Sequence, residues 1–193
     1  MPRAEVLKVE HPLRGDAIRG LITSGMIPGA KGVNFFVEQL FRNKKSVGID
    51  IAKDPIAAKA KLGFIPDRPF IYEKLTGGEF LRFVAGLYGQ EGPEVEHRAR
   101  ELLALFDLEE WRDELVESYS HGMRQKLIVS SAFVHRPDVI VVDEPHVGLD
   151  PKSIKILRDV FKEYVRRGHT IMMSTHTLET AESLCDRIAI IVA

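Results

Sequence analysis

Val139-Ile-Val-Val-Asp-Glu-Pro145 is the stretch on which the fold turns. Four uninterrupted apolar residues, mostly β-branched, read as a strand buried on both faces. A strand that buried cannot keep two carboxylates inside it without partners. Asp143 and Glu144 therefore belong at its carboxyl end, where open α/β sheets bind ligands. An Asp there can hold Mg2+ through water, and a Glu beside it can orient or deprotonate an attacking water. Taken alone, the stretch fits equally a strand ending in a polar turn, with Asp143 capping a neighbour.

Working outward, Lys152–Arg167 reads as a helix with Ile154, Leu157, Phe161, Tyr164 and Val165 on one stripe. Thr170-Ile-Met-Met173 is a second buried strand, Leu178–Leu184 a short helix and Arg187–Val192 a third strand. This alternation predicts parallel pairing with right-handed crossovers. On the amino-terminal side, His121–His135 reads as a helix with Leu127, Ile128, Ser131 and Val134 inward. Gly78–Tyr88 carries Phe80, Leu81, Val84 and Leu87 at helical spacing. Pro93–Leu105 opens on a proline suited to a first turn and aligns Val95, Ala99, Leu102, Leu103 and Phe106. Leu62–Ile65 is a short apolar run stopped by Pro66, which begins a loop running to Thr76. The helices between residues 78 and 135 form a cluster apart from the strands, predicting a helical sub-lobe on an α/β core.

Pattern quality falls before Gly48. Gly15, Gly20, Gly25, Gly29 and Gly32 interrupt every candidate element, leaving Glu5–Val9 as a strand and Asn34–Phe41 as helix or strand. Residues 1–47 are thus read as an atypical segment and 48–193 as the organised domain. The 193 residues suffice for one domain with a sub-lobe. A 45% apolar and 28% charged composition excludes a disordered chain. The net charge of −1 offers no basic excess for nucleic acid. The single cysteine, Cys185, excludes an internal disulfide framework and fits a reducing compartment. No apolar run approaches the ~20 residues that span a bilayer, and no signal peptide opens the chain. Seven histidines without metal-ligand spacing predict no zinc site.

Four short stretches stand in a telling order. Tyr119-Ser-His-Gly-Met123 opens a helix, Val139–Pro145 follows, then Gly148-Leu149-Asp150-Pro151, then Ser174-Thr175-His176 beyond the next strand. In order and element type they resemble the signature motif, Walker B with its catalytic glutamate, the D-loop and the switch histidine of ATP-binding-cassette (ABC) ATPases. The resemblance covers about Gly48 to Ala193, and its wording is most similar to the ATPase subunits of bacterial ABC exporters. It implies a P-loop NTPase-like parallel sheet with a helical sub-lobe, incomplete at the amino terminus, and ATP with Mg2+ as ligands. Glu144 and His176 would be catalytic, and Asp143 would serve the metal. Ser120, His121, Gly122 and Asp150 would meet nucleotide, the signature residues acting on ATP held by the opposite subunit. Leu62-Gly-Phe-Ile-Pro-Asp67 resembles the Q-loop, with Asp67 in the place of a metal-reaching Gln and itself an oxygen ligand.

The signature has a physical rationale. A helix start presents unpaired N–H groups and a positive dipole end to an anion, and Gly122 lets the backbone approach closely. His121 departs from the family's glycine and reads as a solvent-facing cap residue in preference to a phosphate contact. His146 reads as a surface residue. The apolar residues Phe70, Ile71, Tyr72 and Leu75 in a loop suit a docking surface. In the family this region meets the cytoplasmic coupling helix of a permease.

One element of the resemblance is missing. A Walker A loop, Gly-x-x-x-x-Gly-Lys-Ser/Thr, cradles the β- and γ-phosphates. The nearest text, Gly25-Met-Ile-Pro-Gly-Ala-Lys31-Gly32, has Ala30 for the second glycine and Gly32 for the Ser/Thr, and Pro28 removes an amide. A degenerate or truncated gene and a reading-frame error upstream of Gly48 each explain this. The expectation is an ATP-binding subunit of an ABC transporter, peripheral on the cytoplasmic face of the cell membrane. It would work as a homo- or heterodimer with a transmembrane permease. The alternative is an inactive accessory half that acts only with a complete partner; in either case intrinsic ATP hydrolysis is in doubt.

Overall fold

The protein is seen in a computed structural model that describes residues 54–67, 70–144, 148–175 and 177–185. The segments expected at Glu5–Val9, Asn34–Phe41 and Arg187–Val192 lie outside these residues, as do His146 and His176. Among the described residues the order is α1 (Pro55–Ala60), β1 (Leu62–Ile65), α2 (Gly77–Leu87), α3 (Pro93–Leu105), α4 (His121–Val134), β2 (Val139–Asp143), α5 (Pro151–Arg166), β3 (Thr170–Ser174) and α6 (Leu178–Leu184). Two 3-10 turns, Glu109–Trp111 and Val116–Ser118, link α3 to α4.

The three described strands form one parallel sheet, with β2 between β1 and β3. Ile65 stands beside Val142, and Val142 beside Met173. Because all strands run the same way, their carboxyl ends lie along one edge, and the residues just beyond them are neighbours. Ile65, Ile140, Val142, Ile171 and Met173 share the main core with α4 and α5. The α5 stripe of Leu157, Phe161, Tyr164 and Val165 is buried there as its spacing predicts, while Ile154 is only half-buried. The Tyr164 ring meets Phe133 edge-on, and its hydroxyl donates to the Pro137 carbonyl.

Helix α4 is buried on every side from Leu127 to Val134, more than the expected four-residue stripe. It is sandwiched between the sheet and helices α2 and α3, as a helix without a polar face must be. It also lies tight against β1: a Cβ added to Gly63 would stand 2.6 Å from the Ala132 carbonyl oxygen. Helix α2 differs from expectation. Leu87 is exposed, and Ala85 takes the inward place beside Phe80 and Leu81. The helix ends at Leu87, and the next residue, Tyr88, turns inward instead, stacking its ring on His135.

Helix starts follow local chemistry. Asp54 accepts from the Ala57 amide ahead of Pro55. Thr76 and Glu79 form a reciprocal capping box at α2. The loop after β1 is stitched to the segment leading into α4: the amides of Val116 and Glu117 donate to the carbonyls of Leu75 and Glu73, at 2.9 and 3.0 Å. That lacing fixes where α4 begins. Among the described residues no helix is long and apolar enough to cross a membrane.

Candidate functional site

Asp143 ends β2, half-buried, directly across from Ser174 at the end of β3. The Ser174 hydroxyl donates to Asp143 Oδ1 at 2.5 Å. Glu144 follows with φ +49, a left-handed backbone that a non-glycine residue rarely adopts and that costs roughly 1–2 kcal/mol. Two contacts hold it there. Its amide donates to the Ser174 carbonyl at 3.1 Å, and its Oε2 accepts from the Thr175 hydroxyl at 3.2 Å. Both hydroxyl residues are buried. Strained backbone at the end of a central strand is where functional side chains collect. The hydroxyls that position the two carboxylates come from the next strand, so β2's own sequence does not reveal them.

Ser120 is the N-cap of α4, with extended backbone and its Oγ accepting from the Met123 amide at 3.3 Å. The cap is thus Ser120, and His121 is the first helical residue, exposed, as the sequence suggests. Its ring is not free in solvent, however. It lies against Gly148, where an added Cβ would stand 2.6 Å from His121 Nε2. Gly122 faces the same turn, its Cβ position 3.2 Å from the Gly148 carbonyl oxygen. Asp150 caps α5. It accepts from the Ser153 hydroxyl at 2.6 Å and the Ser153 amide at 3.0 Å, and Lys126 Nζ stands at 3.5 Å. The Ser153 hydroxyl and amide hold its carboxyl well below the usual carboxylate range, with Lys126 adding to the effect.

A third region is a groove of about 1240 Å³ lined by Asp67, Phe70, Tyr72, Phe83, His121 and Arg124, among others. Phe70, Tyr72 and Phe83 meet edge-to-face in a row. Arg124 closes one side. Its Nε donates to the Tyr119 carbonyl at 3.1 Å and its Nη2 to the Glu117 carbonyl at 2.9 Å, and Nη1 pairs with Glu73. Asp67 lies two residues beyond β1, on the same sheet edge as Asp143. Arg124, Glu73 and Lys126 escape a reading of the sequence, because ordinary surface charges have the same look.

The donor set suits a hard cation only in part. Asp143 and Asp67 would offer carboxylate oxygens to Mg2+, whose preference is for such oxygens with several waters retained. The described residues contain no cluster of three or more His, Cys, Asp or Glu able to hold a metal unaided. The remaining ligands of an Mg2+ here would be water and phosphate oxygens. For the triphosphate itself the deficit is plain: no Gly-Lys pair occurs anywhere in the 193 residues.

Comparison with known proteins identifies the family. The family model for "ABC transporter" matches residues 33–147. The uncharacterized ABC transporter ATP-binding protein YthP of Bacillus subtilis is 45% identical over 128 residues, covering 66% of this chain and 54% of YthP. The linearmycin resistance ATP-binding protein LnrL of the same organism is 35% identical over 144 residues, covering 75% and 46%. The chain therefore spans about half the length of these two curated relatives. The ABC-type transporter ATP-binding protein EcsA of B. subtilis is 33% identical over 193 residues, covering 98% of this chain and 78% of EcsA. A solved structure of an ATP-binding subunit of an ABC transporter, 38% identical, superposes with a TM-score of 0.69 over 75% of this chain and 60% of that one. A second model, "CoA-transferase family III", matches residues 4–60, the part in which the phosphate loop is lacking. The match over 33–147 and the likeness to EcsA settle the family: the chain belongs to the ATP-binding proteins of ABC transporters, a family that binds ATP, generally with Mg2+.

Proposed function

We propose that this chain is an ATP-binding subunit of an ABC transporter, coupling ATP hydrolysis to transport across a membrane as the half of a dimer that serves nucleotide held by a complete partner. The observation that carries this reading is an imbalance. The signature turn at Ser120-His121-Gly122 and the D-loop at Gly148–Asp150 are built and packed together, whereas no Gly-Lys phosphate loop exists. Ser120 and the amides of His121 and Gly122 would meet the γ-phosphate on the partner, with Asp150 setting the D-loop beside it. In this chain's own half, Glu144 would polarise water, Asp143 and Asp67 would serve Mg2+ and His176 would contact the γ-phosphate. That half lacks the cradle that supplies most of the charge complementarity to a triphosphate. The Phe70–Tyr72–Phe83 groove suits the cytoplasmic side of a permease, which would hold the subunit on the inner face of the cell membrane. The organised unit begins at about residue 48.

The test is a mixed complex with a complete ABC ATP-binding subunit, assayed for ATP hydrolysis. Ser120→Arg in this chain should lower activity by about tenfold or more, by placing bulk where phosphate must sit. Glu144→Gln should change it little. Damage from Glu144→Gln with a silent Ser120→Arg would overturn the proposal.

A further inference from the structure

Within the signature turn, His121 is the residue that departs from small side chains, and the fold gives its ring a specific neighbour. Helical side chains lean toward the amino terminus, and at the first position of α4 this carries the imidazole over the D-loop. Gly148 has φ +77, a conformation that glycine alone adopts cheaply. The space a side chain would need there is filled: a Cβ on Gly148 would stand 2.6 Å from His121 Nε2 and 3.0 Å from Cδ2. The complementary space at Gly122 is taken by the Gly148 carbonyl oxygen. The two turns therefore interlock, ring against glycine and carbonyl against glycine. Further contacts run along the same seam. Lys126, one turn beyond Gly122 on α4, reaches Asp150 at 3.5 Å, and Lys152 at the start of α5 pairs with Asp107, two residues beyond α3.

We propose that His121 is a positioning residue for the D-loop: its imidazole packs on Gly148 and fixes Gly148–Asp150 relative to Ser120, so that the signature turn and the D-loop move as one body. The contact is one of shape. The ring occupies the hollow beside Gly148, and charge on the imidazole is not what holds it. The catalytic meaning of this coupling rests on the reading above, in which both turns serve one nucleotide. The coupling itself needs neither nucleotide nor partner, so its failure and that of the mixed-complex experiment are distinguishable.

Two measurements on the full chain without nucleotide test it. The first uses the unaltered protein with labelled histidine and glycine: nuclear Overhauser contacts should link the His121 ring protons to the Gly148 α-protons, and their absence overturns the proposal. The second is hydrogen exchange by mass spectrometry on three variants. His121→Gly and His121→Ala should speed exchange of the amides of Leu149 and Asp150 by about tenfold, with exchange in α2 and α3 unchanged. His121→Phe, which keeps a ring and discards both nitrogens, should stay near the original rate. Unchanged D-loop exchange in His121→Gly, or loss of protection in His121→Phe equal to that in His121→Ala, overturns the proposal. If His121→Gly fails to fold, the His121→Phe against His121→Ala comparison and the nuclear Overhauser contacts decide the matter.

Discussion

Asp143 and Glu144 owe their usefulness to what the neighbouring strand does to them. A buried strand must expel carboxylates to its end, and that much is legible in Val139–Glu144. The Ser174 and Thr175 hydroxyls that grip them lie 31 residues on, and the grip depends on register between strands, which local sequence does not encode. His121 was legible as an exposed residue but not as the partner of Gly148, for the same reason. Asp150 shows how far a single residue can be taken. Its carboxylate accepts from the side chain and amide of Ser153, and these hold its pKa below that of an unfolded Asp, near about 3.9. A depressed folded-state pKa contributes stability that is present above the unfolded value and is lost as pH falls through the folded one. Asp150→Ala should therefore cost about 1 kcal/mol at pH 7 through loss of the cap, and the gap to the original protein should narrow as pH is lowered below about 4. Asp150→Asn, which still caps but carries no charge, should fall between Asp150→Ala and the original at pH 7, with a stability that depends less on pH below about 4. Urea unfolding at pH 7 and pH 3 checks both; a gap that widens at pH 3 contradicts the account.

At the scale of elements, periodicity located every described strand and the five longer helices to within a residue or so, because each has enough turns or β-branched residues to declare itself. The six residues of α1 were too short to carry a period, and the inward place given to Leu87 was wrong because α2 ends there and Tyr88 takes over the inward contact. The approach of β1 to α4 is invisible to periodicity, since glycine shows no face. It is nonetheless a close joint between sheet and sub-lobe. At Gly63 an added methyl would meet the Ala132 carbonyl oxygen at 2.6 Å and Pro137 Cγ at 2.9 Å, and a helix backbone cannot give way as a flexible side chain can. Gly63→Ala should destabilise by about 1–3 kcal/mol and lower the melting temperature by several degrees. Gly86 is the control. It lies in α2 with nothing within 4 Å of its Cβ position, so Gly86→Ala should be neutral or stabilising by about 0.5–1 kcal/mol. Thermal melts followed by circular dichroism distinguish the two, and equal effects would show that close approach is not what makes Gly63 necessary.

For the molecule as a whole, the family is carried by the match over residues 33–147, and a second family model touches residues 4–60 alone. The two matches overlap over residues 33–60, and the first element among the described residues begins at residue 55. The elements made downstream of residue 54 are present with their capping, strand register and interlocked turns. The 193 residues contain no Gly-Lys pair, which the resemblance calls for upstream of these elements. If the described part is a working ABC scaffold that lacks only its phosphate cradle, the cradle can be put back. Replacing residues 1–52 with the corresponding segment, Walker A included, of a complete ABC ATP-binding subunit should confer ATP binding and hydrolysis on a chain whose other residues are unchanged. A restored site must also run on this chain's own groups. Glu144→Gln in the graft should therefore abolish hydrolysis, by about 10²-fold or more, while leaving nucleotide binding in place, since removing a group that acts on the attacking water lowers turnover and not ground-state affinity. The ungrafted chain, assayed beside it, should stay near background on both counts. Binding measured by calorimetry and turnover by phosphate release separate the outcomes. A folded graft that binds no ATP would show that the downstream scaffold is itself deficient, and one whose hydrolysis survives Glu144→Gln would show that Glu144 is not the group that acts on the attacking water.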